Sequence, residues 1–466
     1  MAYAFALVLS VTLGVCLLGI PVQLSDSLAN LLEVQRMTLG QILDPRAWQG
    51  ASYVRPFLSG LLKIVFDLAD GRYYAWFRGL QVLQVAALLL LVVRLLRVRS
   101  MAEAASVPLC LAALVAVPTF AGTVREAFPI NTFLTILLCC AAAASLSQSR
   151  GGLWTDAVAC LLLIFSTLTV ETGLLVWVIF VTLYVVGARG VSRGAVVAAT
   201  VWVAGYAALR LAMGGASPGL NERDSGFGFS SHTAAELQRM FEGNPLPFYA
   251  YNVASAIGAV LFSEPRGGVW RFAAGLTGRA ELQPWQAVSV VTSAVTSLVV
   301  GWYVAIRLPR WRRREFDAPD RLVALFLALV PANAVFAYAY AKDVIMSPVG
   351  VFYAIAATTA VRGLLFDAAP RRPWWARTAL RLALVVVVCG WSFRLLGLHY
   401  SLRQAAPVVR DEWAYIDDWE RHQRVEFTTP GQIRLRETLY QDAIAGGLRL
   451  PALSGEWADR WFDITQ

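Results

Sequence analysis

The chain has 466 residues, 58% of them hydrophobic and only 15% charged, with a formal net charge of +9. That composition excludes a string of water-soluble domains and leaves the bilayer as the main solvent. The positive charge does not argue for nucleic acid, because the arginines stand mainly at the ends of apolar stretches, where they report membrane orientation.

A membrane-crossing helix needs roughly 20 mostly apolar residues. Stretches of that kind lie near 3–20, 75–93, 104–119, 131–147, 154–170, 172–187, 194–213, 285–306, 321–339, 347–362 and 379–397. The fold class expected is an all-α polytopic membrane protein with about eleven transmembrane helices. The first stretch has neither the basic start nor the small-residue cleavage pattern of a signal peptide, so it reads as a retained helix. Cys16, Cys110, Cys139, Cys140, Cys160 and Cys389 all fall in apolar stretches, away from disulfide or zinc-type spacing.

Orientation follows from the arginines. Arg94, Arg97 and Arg99, then Arg150, Arg189 and Arg193, the run Arg307 to Arg314 and the group Arg362 to Arg381 occupy alternate loops. The positive-inside rule places those loops in the cytoplasm, with the N-terminus inside and the C-terminus outside. The opposite face then holds every elaborate polar segment: a first outer loop 21–74, a second long outer loop 214–284 and a helical tail 398–466, the first two belonging to a membrane domain 1–397. Within the first loop, Leu24 to Leu43 and Phe57 to Leu68 have amphipathic helical spacing. Phe248 to Phe262 is too short for a clear crossing and reads as interfacial or re-entrant.

The chemistry-bearing candidates follow in chain order. Asp26 lies just beyond the outer end of the first helix, where a carboxylate reaches both phases and suits a general base; its other reading is a helix N-cap. Tyr53-Val54-Arg55-Pro56 sets an arginine at the same depth, able to grip phosphate with two N–H groups. Arg78, with Tyr73, Tyr74, Trp76 and Phe77, reads as a snorkelling cation in an aromatic belt. Arg125 and Glu126 form a short outer turn, either a phosphate and acceptor contact or a simple ion pair. Glu171 interrupts an apolar stretch, an expensive place for a carboxylate, and reads equally as a cleft residue or a cap. Lys342 stands in another short outer turn, and Arg223 in the second long loop.

The order of a first helix, an acidic residue outside it, a Tyr-Arg-Pro turn, an amphipathic helix, Gly71 followed by aromatics and a long second helix resembles the GT-C polyprenyl-phosphate-sugar glycosyltransferases. The likeness is to protein O-mannosyltransferase-like enzymes and bacterial lipid-sugar transferases, over roughly residues 1–190. The resemblance implies a catalytic aspartate at Asp26 with Glu126 as a second acidic residue, and a donor phosphate held by Arg55, Arg125 and Lys342. Tyr53, Glu171 and Arg223 would line the cleft. It further implies transfer of a hexosyl or pentosyl group from a polyprenyl phosphate to a glycan, lipid or protein acceptor on the periplasmic face of a bacterial inner membrane. A divalent cation is compatible with that acidic pair, and no other cofactor is implied. Two other readings stay open: a flippase for a lipid-linked saccharide, and an O-antigen-polymerase-like enzyme working through Arg223 and Arg266.

Overall fold

The computed structural model describes the whole chain except Ser25, 49–54, 126–130, 213–223, Phe229, 264–269, 340–342, 369–372, 424–426, 452–455 and 463–466. Helix α1 (Ala2–Leu17) passes through a short connector into the first long loop, folded as α2 (Asp26–Arg36), α3 (Leu39–Leu43) and α4 (Pro56–Ala69). The amphipathic stretch expected over 24–43 is divided in two. Thr38 starts a new helix by a reciprocal cap, its hydroxyl accepting from the Gln41 N–H while the Gln41 side chain accepts from the Thr38 N–H. Pro56 opens α4 in the first turn, where its missing N–H costs nothing.

Next come α5 (Tyr73–Leu95), α6 (Met101–Ala104), α7 (Val107–Ala116) and α8 (Pro118–Arg125). A single helix was expected over 104–119, but α7 and α8 are bent by 71° at Val117. Pro118 lacks the N–H that would carry the ladder across that point. Arg125 is consequently in the last turn of a helix and not in the loop where the sequence reading puts it.

Helices α9 (Thr132–Ser147), α10 (Leu153–Thr167), α11 (Leu175–Val185) and α12 (Arg193–Ala212) follow. The second long loop contains an unexpected antiparallel hairpin, β1 (Ser225–Phe227) with β2 (Ser230–His232), then α13 (Ala234–Phe241), α14 (Leu246–Leu261) and α15 (Trp270–Leu276). Phe227 anchors the hairpin, with ring centroids 4.9 Å from Phe241 and 5.0 Å from Tyr251. The remaining helices are α16 (Pro284–Arg312), α17 (Ala318–Phe336), α18 (Ser347–Arg362), α19 (Trp374–Ala414), α20 (Ile416–Gln423), α21 (Pro430–Ala445) and α22 (Glu456–Trp461).

Among the described residues, six helices are long and apolar enough to cross a membrane: α5, α12, α16, α17, α18 and α19. The bent pair α7 and α8 makes a seventh if it is one span, and α1, α9, α10, α11 and α14 are shorter apolar helices. The chain is an all-α multi-pass membrane protein. Its centre is α18, buried from Ser347 to Val361 and packed on α7, α9, α16 and α17. A helix apolar on every side belongs in such a central position.

The last apolar stretch, expected over 379–397, is part of a longer helix that continues into the tail. Helix α19 runs 41 residues with Pro407 in its interior, about 60 Å at 1.5 Å per residue, twice the hydrocarbon thickness. Its far half buries Leu398, Leu402, Ala406, Val409 and Trp413, a helical stripe, and α19 packs on α1 and α21.

Candidate functional site

Helix α10 starts beside the arginine-rich loops and ends at Thr167 on the long-loop face; α12 runs parallel in sense, from Arg193 to Ala212. The turn Glu171–Leu174 follows α10 so closely that a Cβ on Gly173 would lie 2.1 Å from the Ser166 carbonyl oxygen. Only glycine fits there. The Ser166 hydroxyl donates to the Gly173 carbonyl at 3.1 Å and fixes the turn from the other side.

The first long loop is tied to the same place. The Phe57 N–H at the start of α4 donates to the Leu168 carbonyl at 3.1 Å, and the Phe57 and Phe165 rings lie 6.0 Å apart. Arg55, immediately before α4, is thereby set against Glu171. Its Nη2 and Nε donate to one carboxylate oxygen at 2.7 and 3.2 Å, and Arg210 Nη1, from the last turn of α12, donates to the other at 3.0 Å. These side chains are 19–30% exposed, half out of water yet reachable. Tyr206, one helical turn before Arg210, buries a hydroxyl that lacks a hydrogen-bond partner among the described residues.

Glu171 therefore joins two arginines; it does not cap a helix, since the turn carries no side-chain cap. Arg210 was missed in the sequence because it lies inside an apolar stretch. The available signal was its sign: an arginine at the end of a helix that points away from the arginine-rich face breaks the alternation.

A second arrangement positions the connector between α1 and Asp26. Five successive carbonyls are each held from a distance. Leu18 accepts from the Leu448 N–H at 3.1 Å and Gly19 from Arg410 Nη2 at 2.8 Å. Ile20 and Pro21 accept from Arg78 Nε and Nη2 at 2.6 and 2.8 Å, and Val22 from Trp413 Nε1 at 2.6 Å. Arg78 is 2% exposed and also donates to the Gln81 side-chain oxygen, so it turns inward and does not snorkel. Gly19 admits the tail, since a Cβ there would stand 3.0 Å from the Leu448 carbonyl oxygen.

Asp26 opens α2, which packs on α4, the helix that follows Arg55; its side chain, with Tyr53, Glu126, Arg223 and Lys342, lies outside the described residues. Arg125 Nη1 donates to the Ser401 hydroxyl of α19 at 3.3 Å. The turn Asp343–Met346 packs against α8, so the segments that bear Arg125 and follow Lys342 adjoin. Both α8 and the turn at Glu171 pack on α9. Among the described residues, no three His, Cys, Asp or Glu side chains gather as a metal site. Comparison with protein-family models, with curated proteins and with solved structures finds no match for this chain.

Proposed function

We propose that the chain is a GT-C-type glycosyltransferase that moves a sugar from a polyprenyl phosphate to an acceptor on the long-loop face. The observation that carries this reading is the meeting of Arg55 with Glu171 and Arg210 at the membrane boundary. Planar guanidiniums match phosphate oxygens, and a half-buried site strengthens that attraction without shutting out a lipid-borne donor. Under this reading the acceptor hydroxyl attacks the anomeric carbon, its proton passes to Asp26, and the bond from that carbon to the phosphate oxygen breaks. The polyprenyl phosphate leaves, steadied by Arg55 and, from the adjoining segments, Arg125 and Lys342.

The same proposal takes the shorter apolar helices as crossings, which brings the total to about eleven. It sets the N-terminus in the cytoplasm and the long loops and tail in the periplasm of a bacterial inner membrane, as the alternating arginines favour. The test is transfer from a labelled polyprenyl-phosphate sugar by membranes containing Asp26→Asn protein, expression being matched. Loss of transfer is expected; full activity removes Asp26 from the mechanism.

A further inference from the structure

On the arginine-rich face, where α5, α9 and α18 end and α17 begins beside α16, the helices leave a cavity of about 480 Å³. Its floor is apolar: Leu95, Leu96 and Leu322 line it and are buried, and the Tyr303 ring walls one side. Gly363 lets that ring approach, since a Cβ there would meet it at 2.5 Å, and a π-helical turn, Gly363–Ala368, starts at this point. Such turns recur at functional sites.

The rim carries Arg97, Arg99, Arg307 and Arg362 against the carboxylates of Glu103 and Asp317. Two of the arginines have structural duties. Arg362 pairs with Glu103 and donates to the Leu96 carbonyl at 3.0 Å, while Arg307 lies 3.4 Å from Asp317 and 3.7 Å from the fully buried Asp320. The others differ. Among the described residues the Arg99 guanidinium makes neither hydrogen bond nor ion pair, the Arg97 guanidinium meets the Gln148 carbonyl, and the neighbouring Arg321 buries an Nε without a partner. Burial, then the like charges of Arg99 and Arg321, push the Arg97 guanidinium below its usual pKa. Arg97 also takes a left-handed φ of 47°, which a non-glycine residue adopts only where its surroundings hold it.

Depth settles what reaches this cavity. Trp154 at the start of α10 and Trp374 and Trp375 at the start of α19 are 81%, 72% and 62% exposed on the same face, the place of an interfacial aromatic belt. Crowded guanidiniums at headgroup depth call for phosphate. The cavity falls in the range of roughly 300–1,000 Å³ typical of small-ligand sites, more than a bare phosphate fills. We infer that it binds a phosphate ester, the anion on Arg97 and Arg99 and the organic part against the leucine floor. This site stands apart from the one at Glu171 and does not depend on the function proposed for it.

A phosphate ester comes either from an anionic lipid headgroup or from solution, and two probes separate the sources. The full chain is placed in phosphatidylcholine nanodiscs, and either phosphatidylglycerol is titrated into the bilayer or glycerol 3-phosphate into the buffer, bound ligand being counted by native mass spectrometry. Saturable binding is expected, weakened roughly tenfold or more in the Arg97→Gln/Arg99→Gln double variant, a loss of at least one strong charged contact. The same charge change at Arg312→Gln/Arg313→Gln, on this face but outside the cavity, leaves it unchanged. Phosphatidylglycerol alone binding identifies the lipid source, glycerol 3-phosphate alone the soluble one, and both the shared phosphoglycerol group. Saturable binding of neither probe, undiminished binding in the first double variant, or equal weakening in the two overturns the inference. Single Arg99→Gln protein, in which only an exposed side chain changes, repeats the test if the double variant fails to fold.

Discussion

Arg55 and Glu171, 116 positions apart in the chain, meet at 2.7 Å, and the first long loop is thereby locked to the end of α10. Glu171→Ala leaves two guanidiniums facing each other without their common carboxylate. A destabilisation of about 1–3 kcal/mol is expected, reduced from the fully buried case because the site is partly solvated. Thermal unfolding in detergent measures it. Arg55→Lys keeps the charge and loses the fork; the KM for a polyprenyl-phosphate donor rises roughly tenfold while kcat changes less. A fall in kcat alone argues against a donor-phosphate contact.

Gly173→Ala tests the turn that carries Glu171. The obstructing atom is the Ser166 backbone oxygen, which no side-chain rotation moves away. Overpacking of this kind costs about 1–3 kcal/mol. Glu171 shifts with the turn, so Arg55→Ala added to Gly173→Ala destabilises by less than the two single changes combined. Strict additivity in that double-mutant cycle refutes the coupling.

The connector before Asp26 gives graded expectations. Trp413→Phe removes one donor and leaves the Val22 carbonyl unsatisfied, about 1–2 kcal/mol. Arg78→Met abandons the Ile20 and Pro21 carbonyls together with the Gln81 side chain, and a larger loss of about 3–5 kcal/mol is expected. Hydrogen exchange over residues 18–28 should rise in both, with α11 unaffected. Unchanged exchange there means that these side chains do not hold the connector.

The tail carries a pH dependence of determinate sign. Burial pushes the Asp442 carboxyl above its usual range, against a smaller opposite pull from the Tyr74 backbone N–H. One of its oxygens is buried without a hydrogen-bond partner among the described residues. The folded state therefore holds this proton more tightly than the unfolded chain. Its stabilising contribution is complete below the ordinary aspartate value of about 3.9 and is lost as pH rises through the elevated value. At neutral pH, Asp442→Asn should slow hydrogen exchange in α21, and the difference from wild type should shrink on acidification. Faster exchange in the variant at pH 7 would falsify this assignment.

Much of the membrane architecture was legible because its causes are local. Twenty apolar residues between arginine clusters state a span, and Pro56 marks a helix start through its own backbone chemistry, whereas the start at Thr38 was hidden within continuous amphipathic spacing. The bend at Pro118 was equally local, yet apolar continuity on both sides masked it. Glu171 could be singled out by cost alone, as a carboxylate in an apolar stretch. Arg210 broke the arginine alternation, but its pairing with Glu171 was not legible, because it is created only when α10 and α12 pack together. The hold on residues 18–22 was wholly illegible: its acceptors are main-chain carbonyls, which every residue possesses, and its donors come from three distant parts of the chain. Arg78 misled for the same reason, since an arginine beside aromatics at a helix start looks alike whether it turns to lipid or to protein.

Helix α19 is a single helix, with Pro407 in its interior, that holds backbone oxygens in two other parts of the chain. Arg394, in the membrane half, donates to the Ala116 carbonyl at 3.0 Å, the oxygen left over at the break between α7 and α8, while Trp413, nineteen positions on, holds Val22. The two grips stand about 28 Å apart along a helix rising 1.5 Å per residue. One helix thus holds both the break between α7 and α8 and the connector that leads to Asp26.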